Sequence, residues 1–177
     1  MSAADGPTQA LRRLLIHHLG LKEVTRAGWL RAGVREPESV AAHSWGVAWL
    51  VLVLAPPSLD RGRALAIAVL HDLAEVDVGD LTPYDGVSPE DKRRREEAAL
   101  EGLVRGLPRA DHLRELWLEY EAQSSAEGRF VKACDRLDMA LQAQRYASTR
   151  GVAVEEFVDS ALAGLPSGIL RELAAWA

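Results

Sequence analysis

Apolar residues recur along this chain at the three- and four-residue spacing of amphipathic helices, without the alternation that is typical of strands. The spacing predicts a first helix over residues 8–20 and a second over residues 40–55. The second helix is apolar nearly all round, which indicates a central, buried position. Ser39 is a suitable N-cap for it, and Pro56-Pro57 ends it.

Serines mark further helix starts in the rest of the chain. Ser58 is predicted to cap a third helix and Ser88 a fourth. Ser124 and Glu127 have the spacing of a capping box, and they open a long helix with an apolar stripe. Two short packing helices are expected within residues 154–177. The pattern therefore predicts an all-α fold.

Composition narrows the class of protein. The 177 residues suit a single domain spanning 1–177, and a net charge of −5 argues against a nonspecific binder of nucleic-acid polymers. The longest apolar run, residues 47–55, is too short to span a bilayer, and the first ten residues lack the pattern of a signal peptide. A single cysteine, Cys134, fits a reducing compartment. Together these features predict a cytoplasmic protein without a membrane partner.

The densest polar pattern is the stretch LHDLAEVDVGD, which follows an apolar run. His71 and Asp72 close that run, where buried polar and charged groups are costly unless they are paired. Glu75 lies one helical turn further on, and Asp80 follows a helix-breaking glycine. Imidazole and carboxylate groups are ligands of divalent metals, so the stretch predicts a metal site. The alternative is a core histidine capped by a neighbouring acid.

Two further candidate ligands lie on other predicted helices. His43 is near the start of the buried second helix, and Asp135 borders the apolar stripe of the long helix. Carboxylates are rarely buried without a partner, so Asp135 is the best candidate for a ligand from a distant helix. The alternatives are a core histidine satisfied by its neighbours and an acid in a surface salt bridge.

The segment 21–38 is basic and irregular. It contains Arg26, Arg31 and Arg35, with Trp29 among them. Guanidinium groups beside an aromatic ring are suited to holding a phosphate and stacking on a base or sugar. The alternative is a surface loop anchored by one tryptophan.

The order of the candidate ligands, His43, then His71-Asp72, then Asp135, resembles that of the HD-domain metal-dependent phosphohydrolases. Within that family the chain is most similar to the 5'-deoxynucleotidases. The resemblance covers roughly residues 10–165, and the stretches that carry it are LKEVTRAGW, REPESVAAHSWGVA, LHDLAEVDVGDLTP, EDKRRREEAA and LWLEYEAQSSAEGRFVKACDRLDMALQA.

The resemblance implies a fold, a reaction and partners. The fold would be a bundle of about seven helices around a central metal, with a core over about residues 10–165 and packing helices to residue 177. The reaction would be hydrolysis of deoxyribonucleoside 5'-monophosphates to deoxynucleoside and phosphate. The resemblance implies a divalent metal (Co, Mn, Mg, Zn or Fe) and a homodimer.

The resemblance also implies roles for individual residues. The metal ligands would be His43, His71, Asp72 and Asp135. The acid–base pair, which in some members holds a second metal, would be Glu75 and Asp80. The substrate would contact Arg26 with its phosphate, Trp29 with its sugar, and the stretch around Asp80, Thr82 and Pro83.

Two alternatives stay open at this point. One is an HD-domain phosphohydrolase that acts on another nucleotide or on a phosphodiester. The other is a nonenzymatic module that binds a nucleotide or a metal on the same scaffold. Intact acids at positions 75 and 80 argue against the module, because a binding site has no need of a general base.

Overall fold

A computed structural model describes residues 6–175 as a helical bundle. The helices are α1 (Pro7–His18), α2 (Ala27–Arg31), α3 (Val40–Leu54), α4 (Arg61–Leu70), α5 (Glu75–Val78), α6 (Pro89–Val104), α7 (Ala110–Ala122), α8 (Ala126–Arg150), α9 (Glu155–Gly164) and α10 (Ile169–Ala174). Seven of these helices within residues 6–175 have ten or more residues. The all-α class and the expected number of helices are therefore confirmed. None of the helices described is both long and apolar enough to cross a membrane.

The main core lies between the middle helices and α8. Apolar side chains of α3, α4, α6 and α7 pack together there, including Val47, Ile67, Leu100 and Trp117. Each fully buried side chain of this kind stabilises the fold by about 1.5–3 kcal/mol relative to an exposed one. Helices α9 and α10 pack on the other face of α8, where Leu137 lies beneath them. The long helix α8 is thus covered along most of its length.

Two of the predicted helix caps are confirmed. Ser39 precedes α3, and its hydroxyl accepts a hydrogen bond of 3.2 Å from the Ala42 amide. Ser88 precedes α6, and its hydroxyl accepts one of 3.1 Å from the Asp91 amide. Each cap is a contact between residues three apart, which a sequence pattern represents well.

The other two predicted caps are wrong. Asp60, not Ser58, caps α4, because its carboxylate accepts a hydrogen bond of 2.9 Å from the Arg63 amide. Ser125, not Ser124, caps α8, since Gln123 adopts a left-handed conformation that carries the chain one residue further. The side chain of Glu127 accepts from the amide of Asp60 at 3.0 Å instead of closing a capping box.

The expectation that His71, Asp72 and Glu75 share one helix, broken by Gly79, is wrong in its first part. Helix α4 ends at Leu70, and the backbone then forms tighter turns, with hydrogen bonds of 3.0 Å from Leu73 to Leu70 and from Glu75 to Asp72. Three-residue turns place residues i and i+3 one above the other, so Asp72 and Glu75 share a side. Gly79, with φ of 74°, ends α5 and lets the chain turn back.

Candidate metal centre

His43 reaches the centre of the bundle from the first turns of α3. Its side chain is 1% exposed, and Nδ1 lies 2.7 Å from Oδ2 of Asp138 on α8. Its Nε2 lies 3.2 Å from Oδ1 of Asp135 and 3.6 Å from Oδ2 of Asp72. Burial and Arg26 act to lower the pKa of His43, but Asp135 and Asp138 outweigh them and raise it to about 9. A cation that binds this ring therefore has to displace a proton.

His71 is presented by the end of α4. Nδ1 donates a hydrogen bond of 2.8 Å to the carbonyl of Ala68, so the neutral ring carries its lone pair on Nε2. That Nε2 atom lies 3.1 Å from Oδ2 of Asp72. The backbone carbonyl of His71 accepts a hydrogen bond of 3.1 Å from the indole of Trp117 on α7. The Ala68 carbonyl thus orients the ring, and Trp117 holds the backbone that bears it.

Asp135 on α8 adds a second carboxylate to the group of possible metal-binding side chains around His43. Its Oδ2 accepts hydrogen bonds from the Tyr120 hydroxyl at 2.7 Å and from Lys132 at 2.9 Å. Its Oδ1 is the atom near His43. Burial acts to raise the pKa of Asp135, but Lys132 and His43 outweigh it and hold that pKa well below its usual range. The carboxylate is therefore charged.

Four buried atoms around this point have no hydrogen-bond partner among residues 6–175. They are Nε2 of His43, Nε2 of His71, Oδ2 of Asp72 and Oε2 of Glu75. Unpaired polar atoms in a protein interior are destabilising, and imidazole with carboxylate is a donor set for divalent ions such as Mn, Fe, Co and Zn. Ligand atoms of three of these residues lie within 4.8 Å of one another, namely His43, His71 and Asp72. The donors present therefore fit a divalent metal ion.

Glu75 lies beside these donors at the start of α5, and its side chain is buried. Burial and the charges of Asp72 and Asp80 raise the pKa of Glu75 to about 10. In the absence of a metal ion the group therefore holds a proton at neutral pH, even though Arg26 and Lys92 act to lower its pKa. An adjacent divalent cation acts in the opposite direction and favours the carboxylate.

Arg26 approaches the same acids from the loop before α2. Its Nη1 lies 3.6 Å from Oδ1 of Asp80, and the other oxygen of Asp80 accepts a hydrogen bond of 2.7 Å from the Ala27 amide. Burial acts to lower the pKa of Arg26, but Asp80 and other acids outweigh it and raise the pKa above its usual value. The loop is tied to the start of α3 by an isolated bridge between Thr25 and Ser39.

Two adjoining cavities lie at the mouth of the site. One, of about 250 Å³, is lined by four acidic and four basic residues. The acids are Asp72, Glu75, Asp80 and Asp135, and the bases are Arg26, Lys92, Lys132 and Arg136. The other, of about 310 Å³, shares Arg26 and Asp80 with the first and is largely apolar and aromatic. The first cavity is thus a charged compartment, and the second, beside it, is suited to a planar organic group.

The predicted substrate residues line the apolar cavity. Trp29 is only 2% exposed, its ring packs 4.3 Å from that of Phe157, and its indole nitrogen donates to Glu38 at 3.0 Å. Thr82 and Pro83 also line this cavity, and the Thr82 hydroxyl donates to Asp85 at 2.7 Å. The structure thus places Arg26, Trp29, Asp80, Thr82 and Pro83 around one opening.

Four supporting residues had no predicted role: Trp117, Tyr120, Lys132 and Asp138. Lys132 and Asp138 each stand three residues from Asp135, so they lie on the same side of α8. That spacing was a usable signal for both. Trp117 and Tyr120 resemble ordinary core aromatics in the sequence, and only the packing of α7 shows what they touch.

The chain is similar to known proteins in sequence and in fold. The HD domain family matches residues 20–173. The 5'-deoxynucleotidase HDDC2 of Bos taurus is 43% identical over 144 residues, which cover 79% of this chain and 70% of that protein. A crystal structure from Pyrococcus horikoshii is 32% identical with a TM-score of 0.76, covering 91% and 92% of the two chains. A predicted metal-dependent phosphohydrolase from Magnetospirillum magnetotacticum is 30% identical with a TM-score of 0.73, covering 95% and 87%.

Proposed function

This chain belongs to the HD domain family, and we propose that it hydrolyses deoxyribonucleoside 5'-monophosphates to deoxynucleoside and phosphate with the help of a divalent metal. The family and the relatives named 5'-deoxynucleotidase support this assignment. The observation that carries it is the set of buried imidazole and carboxylate atoms without hydrogen-bond partners among the described residues, beside a cavity lined by both acidic and basic side chains. A phosphate monoester is very slow to hydrolyse, and such a site supplies the charge neutralisation that the reaction needs.

The proposed metal ligands are His43, His71, Asp72 and Asp135. When bound there, a divalent ion would polarise a phosphoryl oxygen and lower the pKa of a bound water. The two imidazole nitrogens favour Mn, Fe, Co or Zn over Mg, which prefers oxygen ligands.

Arg26 and Glu75 have different proposed tasks. Arg26 is charged and buried at the wall shared by both cavities, so its guanidinium can hold two phosphate oxygens at once. Glu75 has a buried oxygen without a hydrogen-bond partner among the described residues and lines the same cavity as Asp72 and Asp135, which suits a group that takes the proton of an attacking water.

Asp80 is the second member of the proposed catalytic pair. Its contacts with Arg26 and with the Ala27 amide indicate that it also holds the phosphate-binding loop in place. Its remaining proposed tasks are delivery of a proton to the leaving 5'-oxygen and, with Glu75, ligation of a second metal ion. Both concern the reaction and not the fold.

The apolar cavity is the proposed nucleoside site. A sugar attached to a phosphate at Arg26 would lie against Trp29, in the cavity that Thr82 and Pro83 also line. Because the indole nitrogen of Trp29 already donates to Glu38, this ring offers the sugar an apolar surface. An unpaired 2'-hydroxyl would be disfavoured there.

One experiment tests the function directly. Phosphate release is measured for a panel of deoxyribonucleoside and ribonucleoside monophosphates, with Co²⁺, Mn²⁺, Mg²⁺, Zn²⁺ or Fe²⁺ added to metal-free protein. We expect release from deoxyribonucleotides, and less from ribonucleotides. Release from another nucleotide class or a phosphodiester would favour a different specificity, and binding without any release would favour a nonenzymatic module.

We also propose that two copies associate through the exposed face of α3. Trp45 and Trp49 on that face are 69% and 52% exposed, and their rings stack 6.3 Å apart. Leu52 and Val53 extend the face, and α3 contains no acidic, lysine or arginine residue that would attract a charged partner. An apolar patch of this kind is typical of an interface, and the same uncharged face on a second copy of the chain suits it.

Light scattering after size-exclusion chromatography tests this association. The protein should have twice the chain mass of 19.3 kDa, and Trp45→Glu combined with Trp49→Glu should reduce it to a monomer. Leu15→Glu, at an exposed leucine of α1, is the control that should stay dimeric. A monomeric parent would contradict the proposal. The cytoplasmic location and the lack of a nucleic-acid polymer as partner remain predictions from the charge and the single thiol.

A further inference from the structure

We propose that Asp138 is a positioning residue for the metal centre, and that Gly46 is present in α3 to make room for it. Through its hydrogen bond to Nδ1 of His43, Asp138 holds the imidazole so that Nε2 faces the ion. The inference rests on the metal site of the proposed function. It assigns roles to two residues that are proposed neither as ligands of the ion nor as contacts of the substrate.

The first step is the hydrogen bond itself. Oδ2 of Asp138 lies 2.7 Å from Nδ1 of His43, which is 1% exposed. A carboxylate only accepts hydrogen bonds, so Nδ1 has to carry a proton. The nitrogen available to a metal is then Nε2, and that atom has no hydrogen-bond partner among the residues described. Outer carboxylates that hold a ligating histidine in this way fix its orientation and its basicity.

The second step concerns a rival arrangement on the other side of the ring. Ligand atoms of Glu38, His43 and Asp138 also lie within 4.8 Å of one another. Glu38, however, already accepts a hydrogen bond from the indole of Trp29. Oδ2 of Asp138 likewise already accepts a hydrogen bond from Nδ1 of His43. The hydrogen bonds therefore assign the ion to the Nε2 side and leave the acids on the Nδ1 side as support.

The third step is the glycine opposite Asp138. A Cβ atom at Gly46 would lie 2.1 Å from Oδ1 of Asp138, which no pair of unbonded atoms tolerates. Glycine inside a helix costs roughly 1 kcal/mol relative to alanine. Its presence in the centre of α3, one turn after His43, is explained by the space that Asp138 occupies.

The fourth step shows that Asp138 can be replaced without leaving a closed hole. The residue borders a surface cleft of about 550 Å³, together with Trp45 and Gly46. Removing a side chain at the wall of an open cleft lets water fill the space. Asp138→Ala should therefore fold, whereas a truncation in the closed core would be more destabilising.

The test is a measurement of Mn²⁺ affinity without substrate. Free Mn²⁺ is quantified by electron paramagnetic resonance as metal-free protein is titrated. Asp138→Ala should raise the dissociation constant by about 10- to 100-fold, the usual effect of losing such an outer partner. Gly46→Ala should have the same effect, because it displaces Asp138 while leaving its carboxylate in the protein.

Two matched controls accompany these variants. Asp159→Ala removes an exposed acid from α9, and Gly102→Ala adds a methyl group to α6 where no atom lies within 4 Å. Both should bind Mn²⁺ like the parent. Asp138→Ala with the parental dissociation constant would overturn the proposal. If that variant does not fold, Gly46→Ala decides in the same way.

A second measurement separates positioning from general damage. In Asp138→Ala, phosphate release should recover as Mn²⁺ is raised, and KM for a deoxyribonucleoside monophosphate should equal that of the parent at saturating Mn²⁺. Loss of turnover that no amount of Mn²⁺ restores would contradict a positioning role. The Mn²⁺ titration contains no nucleotide, so it remains decisive even if the parent hydrolyses no deoxyribonucleotide.

Discussion

The hydroxyl of Tyr120 and the carboxylate of Asp135 form a hydrogen bond of 2.7 Å between α7 and α8. Lys132 donates to the same oxygen at 2.9 Å. Because both donors occupy Oδ2, the other oxygen of Asp135 is the one that faces Nε2 of His43, 3.2 Å away. The two side chains thus select which carboxylate oxygen is offered to a metal ion.

The first prediction concerns this acid. Asp135→Ala should abolish tight Mn²⁺ binding, because it removes a charged donor that neighbouring side chains hold in place. Tyr120→Phe should weaken binding less, since Lys132 remains. Metal content after gel filtration is measured by atomic absorption, with Asp159→Ala as the control. Stoichiometric metal retained by Asp135→Ala would remove this residue from the ligand set.

The second prediction concerns turnover without loss of metal. Glu75→Gln preserves size but cannot take a proton, so kcat should fall by about 100- to 10,000-fold. Metal content should change little if Glu75 is not a main ligand of the first ion. Phosphate release and metal content are measured on the same preparation. Activity near that of the parent would exclude Glu75 from the mechanism.

The third prediction concerns the phosphate. Arg26→Lys should lose much of kcat/KM and Arg26→Ala more, because an ammonium group cannot reproduce two parallel donors. The loss should be equal for every deoxyribonucleoside monophosphate, since all share the phosphate. Circular dichroism should show an intact helical fold.

Arg105, an exposed arginine at the end of α6, provides the matched control for Arg26. Arg105→Ala should keep the parental kcat/KM. Parental activity in Arg26→Ala, or a loss confined to one base, would show that Arg26 does not bind the phosphate. Arg31 and Arg35 would then be tested next.

The fourth prediction concerns stability and pH. Glu119 accepts hydrogen bonds from Arg63 and from Ser125. Burial acts to raise the pKa of Glu119, but these bonds outweigh it and lower the pKa. In the unfolded state the pKa of a glutamate is about 4.3. Because the pKa of Glu119 is lower than this in the folded state, its charge stabilises the fold at pH values above about 4.3. This stabilisation is lost as the pH falls through the pKa that Glu119 has in the folded state.

Glu119→Gln should therefore lower the free energy of unfolding by about 1 kcal/mol at pH 7, a modest value because Arg63 is partly exposed. The difference from the parent should shrink as the pH is lowered below the unfolded value. Urea denaturation at a series of pH values measures both quantities. A difference that stays constant with pH would mean that the charge of Glu119 contributes nothing.

The local features of this fold were predictable, and those that depend on distant contacts were not. Ser39 and Ser88 cap their helices through bonds that span three residues. Ser124 failed as a cap because Gln123 takes a left-handed conformation at the end of α7. Ser58 failed because Asp60, two residues later, offers a stronger acceptor.

The features of the candidate site were likewise predictable only where they are local in the sequence. The sequence pattern placed the proposed ligands on separate helices, and the structure brings His43, His71 and Asp72 together. The partnership of His43 with Asp138 joins positions 95 residues apart and depends on a missing Cβ at Gly46. No local pattern contains that information. The aromatic supports Trp117 and Tyr120 were hidden for the same reason.

The bridge between Thr25 and Ser39 has a consequence for how such a protein can vary in length. It fastens the loop bearing Arg26 to the start of the helix bearing His43, with a further bond of 2.8 Å from Val40 to Val24. Insertions or deletions between these two points would shift Arg26, the proposed phosphate-binding group, relative to His43, a proposed metal ligand. The exposed turn at residues 83–86 has no backbone bridge of this kind among the described residues. It meets the facing helix through side chains, with Arg31 over the Tyr84 ring, so it should tolerate insertions and deletions better. Natural diversification of the substrate pocket is therefore expected to proceed through the turn.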